Sequence, residues 1–357
     1  MQQAIHHFQI MSQPVFCRNF GHGNINYTFL ITTDNGKQYI LQRINTHVFK
    51  KPVELMENVI AVTQHIREKV DDPAKVLNFV PALDGKYYYR DERKRFWRCY
   101  EFVGGFCLEA PETDADFYES AVAFGRFQEQ LSDFPAETLH ETIPNFHNTP
   151  DRYRQLHIAM DEDACDRLQY VQREVDFILE REQEAGTIQR MLESGELPLR
   201  VTHNDTKLNN ILFDTTTKKS ICVIDLDTIM PGLSLYDFGD AIRFGAKTAF
   251  EDEADLSKVS ISMELFAAYA EGYLSECAMA LTQSEIDHLA FSAWLMTYEC
   301  GVRFLTDYLN GDVYFKIDCP EHNLIRARNQ FKMVKEIEAK LPEMEAIVQR
   351  VVAANKA

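Results

Sequence analysis

The chain has 357 residues, more than a single compact core usually serves, and its 45% hydrophobic content is enough to fill two lobes. With 37 basic against 55 acidic residues the net charge is -18, which disfavours nucleic acid and anionic membranes as partners, although backbone amides, a few cations and a metal ion can still gather a nucleotide locally. The eight cysteines form no CxxC pair and no run of about 18 apolar residues occurs, so neither a zinc cluster nor a disulfide framework nor a membrane span is expected.

The opening MQQAIHHFQIMSQPVF has no basic start followed by a continuous apolar stretch, and a cytoplasmic, monomeric protein is expected. From Val15 to about Val103, alternation and turn residues predict strands: CRNFGHGNINYTFLITT, a turn at Asp34-Asn35-Gly36, KQYILQRI, then KYYYRDE with FWRCYEFV. They predict a small, mostly antiparallel sheet. After Pro52, the spacing of Leu55, Val59, Val62, Ile66 and Val70 predicts one helix packed on it. Gly21 and Gly23, in the turn between the first two strands, can bring bare backbone close to phosphates; a plain hairpin turn is the alternative.

Beyond Gly104-Gly105 the pattern turns helical, through DADFYESAVAFGRFQEQL and DRLQYVQREVDFILEREQEAGTIQRML. It resumes after residue 258 with KVSISMELFAAYAEGYLSECA, SEIDHLAFSAWLMTYECGVRFLTDYL and a charged C-terminal helix. Glu251 to Lys258 reads as a solvated loop. In the long helix, Glu299, Arg303 and Asp307 recur every fourth residue, either as an outward salt-bridged face or as a charged line directed at a ligand.

Between these helical stretches, Val201 to Asp227 sets His203, Asp205, Lys207, Asn210, Asp225 and Asp227 among apolar runs. A carboxylate at Asp205, an amide five residues later and a hairpin returning to Asp225 supply a proton acceptor and two hard oxygen ligands, as phosphoryl transfer requires. Lys207 is placed to neutralise charge on the transferred group, and His203 to support the loop. The plain alternative for HNDTKLNN is a polar turn, since Asn, Asp and Thr favour turns for local reasons.

On His203, Asp205, Asn210 and Asp225 the segment resembles the aminoglycoside phosphotransferase and choline kinase family, with its H-x-D-x-x-x-x-N and I-D pattern. That resemblance implies an α+β, bilobal, protein kinase-like fold: a mostly antiparallel β N-lobe with one main helix over 1–103, binding ATP, and a larger mainly α-helical lobe over 104–357, holding the acceptor. It implies Mg2+ on Asn210 and Asp225, adenine against the connector at Glu101 to Val103, and Asp237 bracing the catalytic loop despite spelling DFG with Phe238-Gly239. Within the family, LRVTHNDTKLNNILFD, VIDLDTIMPG, ELFAAYAEGY, ECGVRFLTDYLNGDVYF and PEHNL look like the N-acetylhexosamine 1-kinases, and imply transfer from ATP to the anomeric hydroxyl of N-acetylglucosamine or N-acetylgalactosamine. This likeness places Asn24, Asn26, Arg303 and Tyr314 beside the sugar, with Asn24 standing where those kinases carry histidine.

One departure concerns the phosphates. Where kinases of this fold carry a cation on the third strand, this chain has Gln42, with Arg43 beside it on the opposite face. Glu54 or Glu57 of the following helix is a partner for Arg43 or a surface residue. The missing cation leaves a nucleotide-binding pseudokinase as an alternative, and a phosphotransferase for a hexose, amino alcohol or aminoglycoside is another.

Overall fold

The structure is a computed structural model and describes residues 2–21, 25–72 and 75–355. The chain divides into two compact units, one comprising Met1–Cys107, Gln130–Pro144 and Asn210–Pro231, the other Leu108–Glu129, Asn145–Asn209 and Gly232–Ala357.

The first unit begins with a short helix α1 (Gln2–Ile5) and the strands β1 (Pro14–Asn19), β2 (Tyr27–Thr33) and β3 (Gln38–Ile44). Helix α2 (Pro52–Lys69) follows, then β4 (Tyr89–Arg90) and β5 (Phe96–Glu101), giving an antiparallel sheet in the order β1-β2-β3-β5-β4. Alternation puts Phe29, Ile31, Tyr39, Leu41, Trp97 and Cys99 on one buried layer with Phe8. Pro52 opens α2, where its missing N–H costs nothing, and Leu55, Val59, Val62 and Ile66 are buried along one face. Val70 is not in the helix: it is extended and caps it, its N–H donating to the Ile66 carbonyl at 3.2 Å. The strand expected over KYYYRDE shortens to two residues, because Asp91 turns the chain by accepting from the backbone N–H groups of Arg93 (2.9 Å) and Arg95 (3.0 Å).

In the second unit α3 (Asp114–Gln130), α4 (Thr149–Glu162) and α5 (Gln172–Leu179) precede the one-turn α6 (Glu182–Ala185) and α7 (Thr187–Glu193). The helical pattern expected through DRLQYVQREVDFILEREQEAGTIQRML is therefore divided among three helices. Arg181 accounts for the break, donating from Nη1 to the Phe177 carbonyl at 3.0 Å at the end of α5 and pairing with Glu338 at 2.7 Å.

Strand β6 (Arg200–Thr202) leads into the polar segment, β7 (Ile211–Phe213) and β8 (Ser220–Val223) form its hairpin, and β9 (Met230–Gly232) follows. Helices α8 (Ser234–Gly245), α9 (Met263–Cys277), α10 (Gln283–Leu309) and α11 (His322–Asn355) complete the chain. Thr282 and Glu285 form a reciprocal capping box at the start of the largely buried α10. The C-terminal segment is the end of α11, with Met344, Ile347, Val348, Val351 and Val352 buried along one side. Among the described residues no helix is long and apolar enough to cross a membrane.

Candidate active site

The polar segment contributes to both units. In the second, β6 delivers a buried corner at Thr202, His203 and Asn204, with Asn204 at φ +63°. Asp237, on the first turn of α8, holds this corner: its two oxygens accept from the backbone N–H groups of His203 and Asn204, each at 2.8 Å, and Gln128 donates to it at 3.2 Å. The Thr206 hydroxyl donates to the Asp237 carbonyl at 2.7 Å. Burial pushes the Asp237 carboxyl up to about 6, with His203 and the two N–H donors pulling the other way. The His203 ring is itself enclosed, edge-on to Phe124 and Phe127 at 5.6 and 6.1 Å between centroids.

Just past the corner, Asp205 is partly exposed and receives Lys207 Nζ at 2.6 Å. Burial acts to lower the Lys207 ammonium, but the charge and hydrogen bond of Asp205 raise it, so it stays cationic. Burial likewise acts to raise Asp240, yet Arg243, then Lys207 and His147, hold its carboxyl below the usual range. A carboxylate open to a ligand, an adjoining cation and a rigid corner behind them are the parts a proton-accepting site needs.

In the first unit Asn210 is buried and immediately precedes β7, and its carbonyl accepts from the N–H of Ile224 at 2.9 Å. The register Ile211 with Val223 therefore sets Ile224 opposite Asn210, and Asp225 is the next residue along the chain. Asp214 makes the return tight, its Oδ1 accepting from the N–H groups of Thr216 (2.9 Å) and Thr217 (2.7 Å). Asp225 has φ +57°, a left-handed conformation uncommon for a residue with a Cβ. Two residues on, Asp227 is buried against Arg98 and accepts from Asn26 Nδ2 at 2.5 Å.

The residues expected to face a nucleotide occupy varied places in the first unit. Gln42 lies opposite Arg98 in the β3/β5 register, accepts from its Nε at 2.9 Å and donates to Thr28 Oγ1 at 3.0 Å. Arg43 instead lies over the Tyr27 ring at 3.8 Å, while Glu54 pairs with Lys51 and Glu57 with His140. Glu101 ends β5 paired with Lys37 at 2.5 Å, and Val103 follows half-buried. A Cβ on Gly105 would meet the Phe213 carbonyl oxygen at 2.8 Å, so glycine is what lets the connector lie against the hairpin. Gly21 has φ +75° with open space around it. Gly23 and Asn24 lie outside the described residues. Asn26 is joined to Asp227 and, through its Oδ1, to the Asn45 N–H at 2.9 Å.

The charged line on α10 is not an outward face. Glu299 is 1% exposed and its two oxygens accept from His147 Nδ1 at 3.0 Å and Thr149 Oγ1 at 2.7 Å. Asp307, also buried, accepts from the backbone N–H groups of Val313, Tyr314 and Phe315 at 2.8 to 3.0 Å. Between them Arg303 lies among the rings of Phe146, Tyr314 and Phe315 at 5.5 to 5.9 Å. Sequence reasoning singled out neither Arg98 nor Arg152; for Arg98 the available signal was a charged residue in the middle of the apolar strand FWRCYEFV.

An antiparallel sheet carrying one main helix, together with a larger helical unit, is the protein kinase-like architecture of small-molecule phosphotransferases. The phosphotransferase enzyme family (APH) matches residues 17–279, and the chain belongs to that family. Similar solved structures include a microcompartment-associated aminopropanol kinase, 18% identical with a TM-score of 0.62, over 96% of this chain and 97% of that one. An aminoglycoside phosphotransferase from Alicyclobacillus acidocaldarius is 15% identical with a TM-score of 0.64, over 98% and 96%. The GDP complex of aminoglycoside 2'-phosphotransferase-IIIa is 16% identical with a TM-score of 0.59, over 89% and 93%. At such identities these likenesses carry the fold.

Proposed function

We propose that this phosphotransferase is an ATP- and Mg2+-dependent kinase that phosphorylates the anomeric hydroxyl of an N-acetylhexosamine. The observation that carries the phosphoryl-transfer part is the pairing of a ligand-accessible Asp205 and its Lys207 with a corner locked by Asp237. The sugar oxygen attacks the γ-phosphorus, the bond from that phosphorus to the bridging oxygen breaks, ADP leaves, and the hydroxyl proton passes to Asp205. Lys207 offsets charge on the transferred group.

In this reading Asn210 and Asp225 offer one amide and one carboxylate oxygen to the ion, a pairing supported by the hairpin, in which the Asn210 carbonyl accepts from the N–H of Ile224, the residue before Asp225. Mg2+ is usually held by one or two carboxylates together with substrate phosphates, and one carboxylate with one amide oxygen suits that pattern. When bound, that ion neutralises phosphate charge as the bond to the leaving group breaks. In this reading residues 1–103 hold the nucleotide, with adenine against backbone at Glu101 to Val103, and residues 104–357 carry Asp205 and the acceptor site.

The sugar assignment is supported by the resemblance of VIDLDTIMPG, ECGVRFLTDYLNGDVYF and PEHNL, and by Arg303 and Tyr314 lying together. A second reading, transfer to an amino alcohol or aminoglycoside, is favoured by what the similar structures are named for. Incubation with ATP and Mg2+ across N-acetylhexosamines, hexoses, amino alcohols and aminoglycosides, with products identified by mass and NMR, separates the two. A sugar 1-phosphate is expected, and product from amines alone would refute the sugar assignment.

A further inference from the structure

In the second unit the half-buried guanidinium groups of Arg152 and Arg303 are linked through one residue, Phe146. Arg152, on α4, donates from Nη2 to the Phe146 carbonyl at 2.5 Å and from Nη1 to Gln155 at 3.3 Å, while its buried Nε has no partner. Phe146 presents its ring to Arg303 at 5.9 Å, so one residue joins the two cations. Glu299 is the carboxylate whose charge reaches both, but its oxygens are taken by His147 and Thr149. Among the described residues neither Arg152 nor Arg303 has a salt-bridge partner.

Holding two like charges together in a half-buried place costs free energy. Burial and then the charge of Arg303 pull the Arg152 guanidinium below its ordinary range. The arrangement is nevertheless rigid: Asp307 pins the loop bearing Tyr314 and Phe315 through three backbone N–H groups, and Tyr314 stays 70% exposed. An exposed aromatic face, two forked donors and an orphaned buried N–H make a recognition site for an oxygen-rich molecule rather than a packed core. One carboxylate, Asp240, feels the charge of both Lys207, the partner of Asp205, and His147, the partner of Glu299.

We infer that Arg152 acts with Arg303 and Tyr314 as an acceptor-selecting site that takes molecules presenting carbonyl, hydroxyl or carboxylate oxygens and rejects acceptors carrying an ammonium group. The inference rests on the chain being a phosphotransferase for small hydroxyl compounds, and it commits that activity to neutral or anionic acceptors. The two cations would repel the protonated amine of an aminoglycoside or amino alcohol at the place where they donate to an N-acetyl carbonyl or ring hydroxyls.

The test compares N-acetylglucosamine with glucosamine, which differ at this point by a neutral amide against an ammonium. The wild-type protein is expected to favour the amide by about tenfold or more in kcat/KM, about 1.4 kcal/mol. Arg152→Gln should raise the acceptor KM and shrink that ratio while leaving the KM for ATP in place, and Arg152→Lys should restore the ratio. Equal use of both sugars by the wild type, or an unchanged ratio in a folded Arg152→Gln protein, overturns the inference. Should Arg152→Gln fail to fold, the wild-type ratio together with Arg152→Lys decides. Calorimetry separates this inference from the proposed activity: amide sugar bound in preference to amine without transfer sinks the kinase reading alone, whereas no preference in binding sinks the selecting site.

Discussion

Arg98 and Asp227 form an ion pair inside the first unit, each side chain 3% exposed, with Arg98 Nε held by Gln42 and the second Asp227 oxygen held by Asn26. Gln42 and Arg98 are cross-strand neighbours. A buried cation therefore stands one strand over from Gln42, committed to a carboxylate two residues past Asp225. Burial acts to lower the Arg98 guanidinium, but Asp227, with a smaller contribution from Asp225, raises it. Breaking a buried pair leaves an uncompensated charge, so Arg98→Met should cost about 3 to 5 kcal/mol in denaturant unfolding. Arg98→Met with Asp227→Leu should recover much of the loss, and a double variant no better than the single would show that the pair is not what Arg98 contributes.

Asp205→Asn keeps the size and much of the hydrogen bonding of Asp205 but cannot take the proton. If Asp205 is the base, kcat should fall on the order of 10²-fold or more with the KM values for ATP and acceptor little changed. Steady-state kinetics with a matched thermal melt is the check, and wild-type kcat in the variant would remove Asp205 from its role.

Much of the fold and of the loop was legible in the sequence, for identifiable reasons. YTFLITT and KQYILQRI are short runs rich in β-branched and aromatic residues on either side of the Asp34-Asn35-Gly36 turn, and the apolar spacing after Pro52 is helical, so the sheet and α2 follow from local pattern. The hairpin follows from its apolar strands and the Asp214 turn. What local pattern does not carry is a partner far along the chain. Arg181 breaks an otherwise helical stretch because Glu338, 157 residues later, holds it. Glu299 looks like one member of a surface charge line until His147 and Thr149, from a segment about 150 residues earlier, are seen on its oxygens. Arg98 and Asp227 belong to the same class, being 129 residues apart.

Asp237 makes stability depend on pH with a definite sign. Its carboxyl lies near 6 in the folded chain against an ordinary 3.8, so between those values the folded state binds the proton more tightly than the unfolded chain does. Its contribution is complete below about 4 and is lost as pH rises to about 6, at most about 3 kcal/mol for roughly two pKa units. Asp237→Asn should remove up to one proton from that window while costing about 1 to 3 kcal/mol throughout, because one of the two N–H groups loses its acceptor. Unfolding free energies from pH 4 to 7 for both proteins test this, and identical slopes would contradict it.

Gly239 completes the DFG lookalike, and its setting explains why glycine stands there. It lies within α8, where a Cβ would come 2.3 Å from the Ser292 carbonyl oxygen and 2.7 Å from Met296 Cγ of α10. The nearest obstacle is backbone, which cannot rotate away, so Gly239→Ala must push α8 from α10 and should cost about 1 to 3 kcal/mol or more. Gly186 makes the useful contrast. A Cβ there would meet the Arg190 guanidinium at 2.6 Å, the movable end of a surface side chain, and the backbone is helical at φ -77°. Gly186→Ala should therefore be neutral or stabilising by up to about 1 kcal/mol. A lowered melting temperature is expected for Gly239→Ala and an unchanged or raised one for Gly186→Ala. Since Gly239 sits half a turn beyond Asp237, its variant should also lower kcat by disturbing the His203 corner, whereas a Gly239→Ala protein that melts and turns over like the wild type would show that the helix contact is loose.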